Sequence, residues 1–136
     1  MMWPFNWRFL QLGWRILFLH ANEYQPDNQQ TLSWNRGAYL VQGLGHCGMC
    51  HTPLNLLGAE KKKYYLTGGF IQGYYAPNIS ASGLKGVPIA DIQAVFRQGK
   101  KPRNAGKVAG PMAEVNSNSL RYLSANDLSA IATYLK

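Results

Sequence analysis

The stretch HCGMCH, residues 46–51, constrains this chain more than any other feature. It holds both of the chain's cysteines, Cys47 and Cys50. A disulfide framework needs more cysteines, spread more widely along the chain. Two cysteines three positions apart, followed directly by His51, therefore indicate a local chemical site around which the rest of the chain folds.

The spacing C-x-x-C-H is typical of covalent haem attachment. Each thiol adds across one vinyl group to form a thioether, and one helical turn presents both sulfurs to neighbouring pyrrole edges. The histidine after the second cysteine then lies under the iron as its proximal ligand. The motif predicts one haem c, attached at Cys47 and Cys50 and ligated by His51.

Other interpretations of this stretch fit less well. A thioredoxin-like redox motif needs a βαβ context, and no convincing parallel strands are predicted. A zinc site would need two histidines, but His46 and His51 flank the cysteines too tightly, and His20 is the only other one. A chance occurrence in an inert loop is the remaining alternative.

Met112 is the candidate for the sixth iron ligand. The other methionines are terminal or lie inside the attachment turn, whereas Met112 follows Pro111 in a predicted loop. A thioether there can reach the open face of the iron. Alternatively, Met112 is ordinary core filling, and the sixth position holds water, His46 or His20.

Several other residues are weaker candidates for contacts with His51 or with the haem. The proximal histidine should donate its other ring proton to a backbone carbonyl. Pro77 is a candidate for that carbonyl, with a plain turn proline as the alternative. Haem propionates need hydrogen bonds or cations. The basic candidates are Arg97, Lys100, Lys101 and Arg103. The alternative for each of them is a solvated surface charge.

Length and charge limit the function classes. The chain has 136 residues, which suits one domain. Its net charge of +8 favours an acidic partner surface or an anionic membrane face. The basic residues are scattered and no nucleic-acid-binding motif is present, so we expect no nucleic-acid partner.

Residues 4–20 are predicted to form an amphipathic helix with a wide apolar face, interrupted by Arg8 and Arg15. Three interpretations of this helix are open: it packs on its own domain, it docks to another subunit, or it lies in a membrane interface. The uncharged run is too short to span a bilayer and is a poor signal peptide. Covalent haem attachment takes place outside the cytoplasm, so we expect the sequence to lack its true start or to be one segment of a longer chain.

The remaining pattern predicts an all-α fold. Residues 1–30 form the N-terminal helix and a polar linker, and residues 31–136 form the main domain. Ser33 caps a helix over 34–44, Pro88 begins a helix that stops at Gly99, and Ser124 caps the last helix. Residues 52–86 and 100–118 are predicted loops, long enough to suggest that they wrap the haem.

This order of elements resembles class I cytochrome c. Cys47, Cys50 and His51 match its attachment motif, Pro77 with Asn78 its Pro-Asn turn, and Met112 its distal ligand. The resemblance implies a single-haem fold in which the first and last helices of the domain cross. The residues brought together there would be Gly37, Val41, Ala132 and Tyr134.

Longer stretches narrow the resemblance. Residues 34–59, 74–80 and 109–136 look like a haem domain of the multi-haem cytochrome subunit of membrane-bound bacterial alcohol and gluconate dehydrogenases. The resemblance implies electron transfer at the periplasmic face of the inner membrane, from a dehydrogenase subunit to quinone or a terminal oxidase. The printed sequence departs from that subunit in having one C-x-x-C-H where three are usual and Leu54 where arginine is usual. Because we recognise neither an export signal nor a C-terminal anchor in it, we expect a truncated or split gene product.

The sequence therefore predicts an electron-transfer protein that is not itself an enzyme. Two rivals remain open: a haem peroxidase or sensor with an open sixth site, and a non-haem remnant that acts as an interaction module.

Overall fold

The computed structural model describes residues 7–19, 23–104 and 106–136. Within these ranges the chain is mainly helical, with one short antiparallel hairpin, in agreement with the predicted all-α class. The elements are α1 Arg8–Phe18, α2 Leu32–Tyr39, α3 Cys47–His51, β1 Gly69–Ile71, β2 Tyr74–Ala76, α4 Ile89–Gln98, α5 Pro111–Asn118 and α6 Ala125–Leu135.

Helices α2 and α6 cross at the centre of the fold. Gly37 permits the crossing, because a Cβ atom there would lie 2.8 Å from Cβ of Tyr134. Val41 and Ala132, which the resemblance also places at this crossing, are both fully buried. An ion pair between Arg36 and Asp127 closes the solvent side of the same crossing, at 2.7 Å.

The apolar core lies between these two helices, α4 and the loops. Its largest fully buried apolar side chains are Leu128, Val41 and Val87. The other members of the cluster are Leu40, Leu66, Leu84, Ile92, Phe96, Leu120, Ile131, Ala132 and Leu135. Cys47 and Met112, which are both partly buried, pack against this cluster, so it adjoins the predicted site.

Three helix boundaries test the cap predictions. The hydroxyl of Ser124 accepts a hydrogen bond from the Asp127 amide at 3.1 Å, and Gly99 ends α4 in the left-handed region, both as predicted. The cap predicted at Ser33 is wrong. Helix α2 starts two residues earlier, because the Thr31 hydroxyl accepts from the Trp34 amide. Beyond Tyr39 the backbone continues as one wide π-type turn, Leu40–Leu44.

The predicted loop over 52–86 contains a β-hairpin. Its two-residue turn, Gln72-Gly73, has φ angles of 50° and 81°, and both strands are three residues long. Positive φ at both turn positions suits the twist of a tight hairpin. The strands are too short to show an alternating pattern in the sequence, so periodicity did not reveal them.

The predicted loop over 100–118 is also partly wrong, because its second half is helix α5. Gly110 stands at the N-cap position and Pro111 at the first helical position. Proline has the φ angle of a helix and needs no amide partner there. Met112 therefore lies on a first helical turn and not in a loop.

Helix α1 lies on the surface and buries none of its residues. It is shorter than the predicted span 4–20, of which residues 4–6 and 20 are outside the described ranges. The indole of Trp14 donates a hydrogen bond to the carbonyl of Leu57 at 2.8 Å, which ties the helix to the loop after α3. None of the described helices has the length and apolar character needed to cross a membrane.

Candidate functional site

Helix α3 carries the two cysteines and the histidine of the HCGMCH stretch. His46, at its N-cap position, has a φ of 45°, so the chain turns sharply from the preceding helical segment into α3. One short turn then holds Cys47, Cys50 and His51, and the two sulfurs are not joined in a disulfide. This is the local arrangement that the spacing predicts.

The imidazole of His51 is oriented by a single carbonyl. Its Nδ1 lies 2.7 Å from the oxygen of Pro77, and the residue is only 7% exposed. A carbonyl oxygen can only accept, so Nδ1 carries the proton. Burial lowers the pKa of His51, against a smaller opposing effect of the Pro77 hydrogen bond, so the ring is neutral at pH 7. The lone pair of Nε2 is then available to a metal.

Burial also acts on the first cysteine. It raises the pKa of the Cys47 thiol to about 11, because the sulfur packs beside the apolar core. The thiol is thus protonated at neutral pH. Such a thiol is a poor nucleophile and a poor zinc ligand.

The space around Gly48 is too crowded for a side chain at this position after Cys47. A Cβ atom there would lie 2.6 Å from Cε2 of Tyr65 and 3.1 Å from both carboxylate oxygens of Glu60. The Tyr65 ring and the Glu60 carboxylate therefore cover the backbone of α3. Nothing local in the sequence indicates this contact, because both partners come from a distant loop.

A buried threonine anchors the chain that follows α3. Thr52 is 1% exposed, and its hydroxyl accepts a hydrogen bond from the Leu66 amide at 3.0 Å. The Leu66 carbonyl in turn accepts from the amide of Ile79 at 2.9 Å. These bonds connect the end of α3 to the segment around Pro77, and so they support the carbonyl that faces His51.

Asn78 stabilises the other side of that segment. Its side-chain oxygen accepts from the amide of Ser80 at 2.9 Å and from the hydroxyl of Ser80 at 2.7 Å. Gly83 packs so closely on Asn78 that a Cβ atom would collide with it. The turn after Pro77 is thus held locally and sterically, which limits movement of the Pro77 carbonyl.

The other predicted residues lie in different surroundings. Met112 is half-buried on the first turn of α5 and packs against the core cluster. His46 is exposed, and His20 lies outside the described residues. Of the basic candidates, Arg103 donates to the carbonyl of Lys85 at 2.7 Å, while the remaining ones, Arg97, Lys100 and Lys101, lie at the surface.

The donor set fits a covalently attached haem better than a bare metal ion. Two thiols on one turn, a neutral imidazole with its Nδ1 proton engaged, and a thioether on a separate element are the groups that a c-type haem uses. No three or more His, Cys, Asp or Glu side chains converge on a common point among the described residues. The zinc interpretation therefore gains no support from the part of the chain that the structure describes.

Comparison with known proteins shows that the chain is similar to subunits of several dehydrogenases. The chain is 46% identical over 137 residues to a nicotinate dehydrogenase subunit of Pseudomonas putida, a match that covers 99% of the chain. It is 41% identical to the fructose dehydrogenase cytochrome subunit of Gluconobacter japonicus, and 36% identical to the gluconate 2-dehydrogenase cytochrome c subunit of Pantoea cypripedii. Each of these two matches covers 98% of the chain. No family model matches the chain.

The chain spans only a fraction of these relatives, namely 12%, 28% and 33% of their respective lengths. The similarity therefore concerns one segment of each longer protein. Nearly the whole chain is similar to a segment of dehydrogenase cytochrome subunits.

Proposed function

We propose that this chain, a homologue of one segment of dehydrogenase cytochrome subunits, is a c-type electron-transfer domain with a single haem. Thioether bonds to Cys47 and Cys50 hold the haem, and His51 is the proximal ligand. The observation that best supports this proposal is the 2.7 Å distance between His51 Nδ1 and the Pro77 carbonyl oxygen, because His51 lies on a turn with C-x-x-C-H spacing. We propose one haem because the chain contains a single C-x-x-C-H motif.

We assign Met112 as the distal ligand. It is the one methionine of the described residues that packs against the core cluster, whereas Met49 is largely exposed. The bound haem supplies one-electron chemistry through its iron, and a thioether ligand raises the reduction potential. The chain's own residues hold the ligands in place and exclude water, and they transform no substrate.

The domain division follows the same proposal. Residues 31–136 form a cytochrome c-like domain whose loops wrap the haem, and residues 1–30 form an N-terminal helical extension. In support, the core cluster draws all its members from residues 40–135, and helix α1 contributes none of them.

The relatives suggest the partners. Their names place them with nicotinate, fructose and gluconate dehydrogenases, so a dehydrogenase subunit is the proposed electron donor. Quinone or a terminal oxidase is the proposed acceptor, at the periplasmic face of the inner membrane. The periplasmic location follows from the site of covalent haem attachment.

Charge supports brief contacts with an acidic partner. The net charge is +8, and among the described residues Arg36 with Asp127 is the one ion pair, so most cations there are unpaired. Exposed cations attract an acidic surface over a Debye length of about 8 Å at physiological salt. The rate of electron exchange with the partner should therefore fall as salt is added.

Helix α1 supports a proposed association with a membrane surface through residues 4–20, of which the structure describes 7–19. Phe9 and Ile16 are 84% and 71% exposed, and Arg8 and Arg15 lie on the same helix. An apolar face beside cations suits anionic lipid. Sedimentation of the haem-bound chain with anionic vesicles tests this, with Phe9→Glu/Ile16→Glu as the variant that should stay in solution.

The attachment itself is tested by a reduced pyridine haemochrome spectrum. The chain is produced in a periplasm with a c-type maturation system and then denatured. One retained haem with the band of two thioether bonds supports the proposal, and Cys47→Ala should shift the band to that of a single thioether. No retained haem in an exported, folded chain would contradict it and favour the interaction-module alternative.

The ligand assignments need separate variants. Met112→Ala should abolish the low-spin His/Met spectrum and lower the potential, while Met49→Ala, an exposed control, should change neither. An unchanged spectrum in Met112→Ala would contradict the distal role. His51→Ala should give no stable holoprotein, and normal low-spin haem in that variant would contradict the proximal role.

A further inference from the structure

The hairpin formed by β1 and β2 is fixed at its base to the residues that carry the proximal ligand. The Gly68 amide donates to the His51 carbonyl at 2.7 Å. A Cβ atom at Gly69 would lie 2.7 Å from the carbonyl oxygen of Cys50, so β1 runs directly against the backbone of α3. Gly69 pairs with Ala76, and Ala76 immediately precedes Pro77.

The other end of the hairpin contacts the segment that carries Met112. The Tyr74 ring covers Gly110, where a Cβ atom would lie 2.7 Å from Cδ1, 2.8 Å from Cε1 and 2.9 Å from Cγ of the ring. Tyr74 begins β2 and pairs with Ile71 next to the turn. One hairpin therefore links the backbone around His51 to the backbone before Met112.

Gly110 sets the direction in which α5 starts. Its φ of 59° and ψ of −149° lie in a region that is almost restricted to glycine. Its carbonyl accepts from the Ala113 amide at 3.0 Å, which opens the helix, and Pro111 then fixes the next φ angle. A shift of Gly110 would therefore move Met112, two residues further on.

We propose that Tyr74 is a positioning residue for the distal ligand: by packing on Gly110 it holds Pro111 and Met112 at a set distance from the α3 turn. This inference rests on the proposed function, in which Met112 binds the iron. The contact is made by the ring, because no hydrogen bond to the Tyr74 hydroxyl occurs among the described residues. The tyrosine is 52% exposed, so its burial accounts poorly for its presence.

The experiment uses the haem-bound chain and measures how readily added imidazole displaces Met112 from ferric haem. Tyr74→Ala should raise the apparent imidazole affinity about tenfold, equivalent to about 1.4 kcal/mol. Tyr74→Phe should behave like the wild type. Phe70→Ala is the matched control, because Phe70 is 76% exposed on the same hairpin and its ring lies tilted against that of Tyr75, not against Gly110.

Two further readouts separate positioning from general stability. The charge-transfer band of Met-ligated ferric haem should weaken in Tyr74→Ala, and the urea midpoint of unfolding should change no more than in Phe70→Ala. Equal imidazole affinities in Tyr74→Ala and the wild type would overturn the inference, as would equal increases in Tyr74→Ala and Phe70→Ala. A wild-type chain without the Met-ligated band would overturn the distal assignment itself, and the role of Tyr74 with it.

Discussion

Gly37 of α2 lies in backbone contact with Ala130 of α6: a Cβ atom at position 37 would be 2.6 Å from the Ala130 carbonyl carbon. The contact is rigid, because both partners are backbone inside helices. The two helices can approach this closely only because residue 37 has no side chain. The hydrogen bond between Gln42 and the Tyr134 hydroxyl, at 2.8 Å, lies further along the same crossing.

Gly37→Ala should therefore destabilise the chain by about 1–3 kcal/mol through overpacking. The sign of the change in unfolding free energy is diagnostic, because alanine in place of glycine inside an uncrowded helix stabilises a protein by roughly 1 kcal/mol. Urea unfolding of the haem-bound chain measures the difference. The control is Gly43→Ala, where nothing lies within 4 Å of the added carbon and no loss is expected. A neutral Gly37→Ala would show that the helices separate at little cost.

Thr52→Val should destabilise the chain by about 1–3 kcal/mol, because the Leu66 amide would lose its acceptor in a buried position. The volume of the side chain is almost unchanged, so packing contributes little. Thr67→Val is the control, since the Thr67 hydroxyl bonds the Tyr64 carbonyl at an exposed position. Unfolding midpoints in urea distinguish the two, and equal losses would argue against a special role for Thr52.

Asp127→Asn should cost less than about 1 kcal/mol at neutral pH, because exposed ion pairs contribute little. The hydrogen bond from Arg36 lowers the pKa of Asp127 below its ordinary value of 3.8, with a smaller contribution from Ser124. The stabilisation is therefore complete above pH 3.8 and is lost as the pH falls through the lower folded value. The difference between wild type and variant should be constant from about pH 7 to 5 and should shrink near pH 3. If the stability difference between wild type and Asp127→Asn were the same at all pH values, the loss would come from the helix cap and not from the ion pair with Arg36.

Cys47 should resist alkylation in the folded, haem-free chain. With its pKa raised from 9.0 to about 11, the thiolate fraction at pH 8 falls roughly 100-fold relative to the unfolded chain. Iodoacetamide labelling followed by peptide mass spectrometry, with and without urea, gives the ratio of the two rates. The rate for the folded chain should rise about tenfold per pH unit up to about pH 11. Equal rates with and without urea would mean that the thiol is not buried before haem attachment.

Local signals in the sequence were sufficient for part of the fold. Ser124 and Gly99 mark helix ends with side-chain and backbone properties that act within a few residues, and both predictions hold. The prediction of a cap at Ser33 is wrong because the hydroxyl of Thr31, two positions earlier, accepts the capping hydrogen bond. The Asn35 side chain also supports the earlier start, because its amide donates to the carbonyls of Asp27 and Thr31 at 2.8 and 3.3 Å.

The hairpin and α5 were missed for a different reason. Strands of three residues carry too few positions for a period to appear, and α5 has a weak apolar pattern. Gln72-Gly73 and Gly110-Pro111 were the signals that could have located them. Both pairs are read as turns unless the contacts on either side are known.

The sequence by itself determined the local geometry of the C-x-x-C-H turn: Cys47, Cys50 and His51 lie on one short helix, and their spacing depends on no distant residue. The tertiary structure alone decided what surrounds that turn. It brought the Pro77 carbonyl to His51, the Tyr65 ring to Gly48 and the Tyr74 ring to Gly110. Each of these pairs joins residues far apart in the chain, and their meeting depends on how all the helices and loops pack together. Residue types and spacing restrict the local backbone, whereas long-range contacts follow from the free energy of the whole fold.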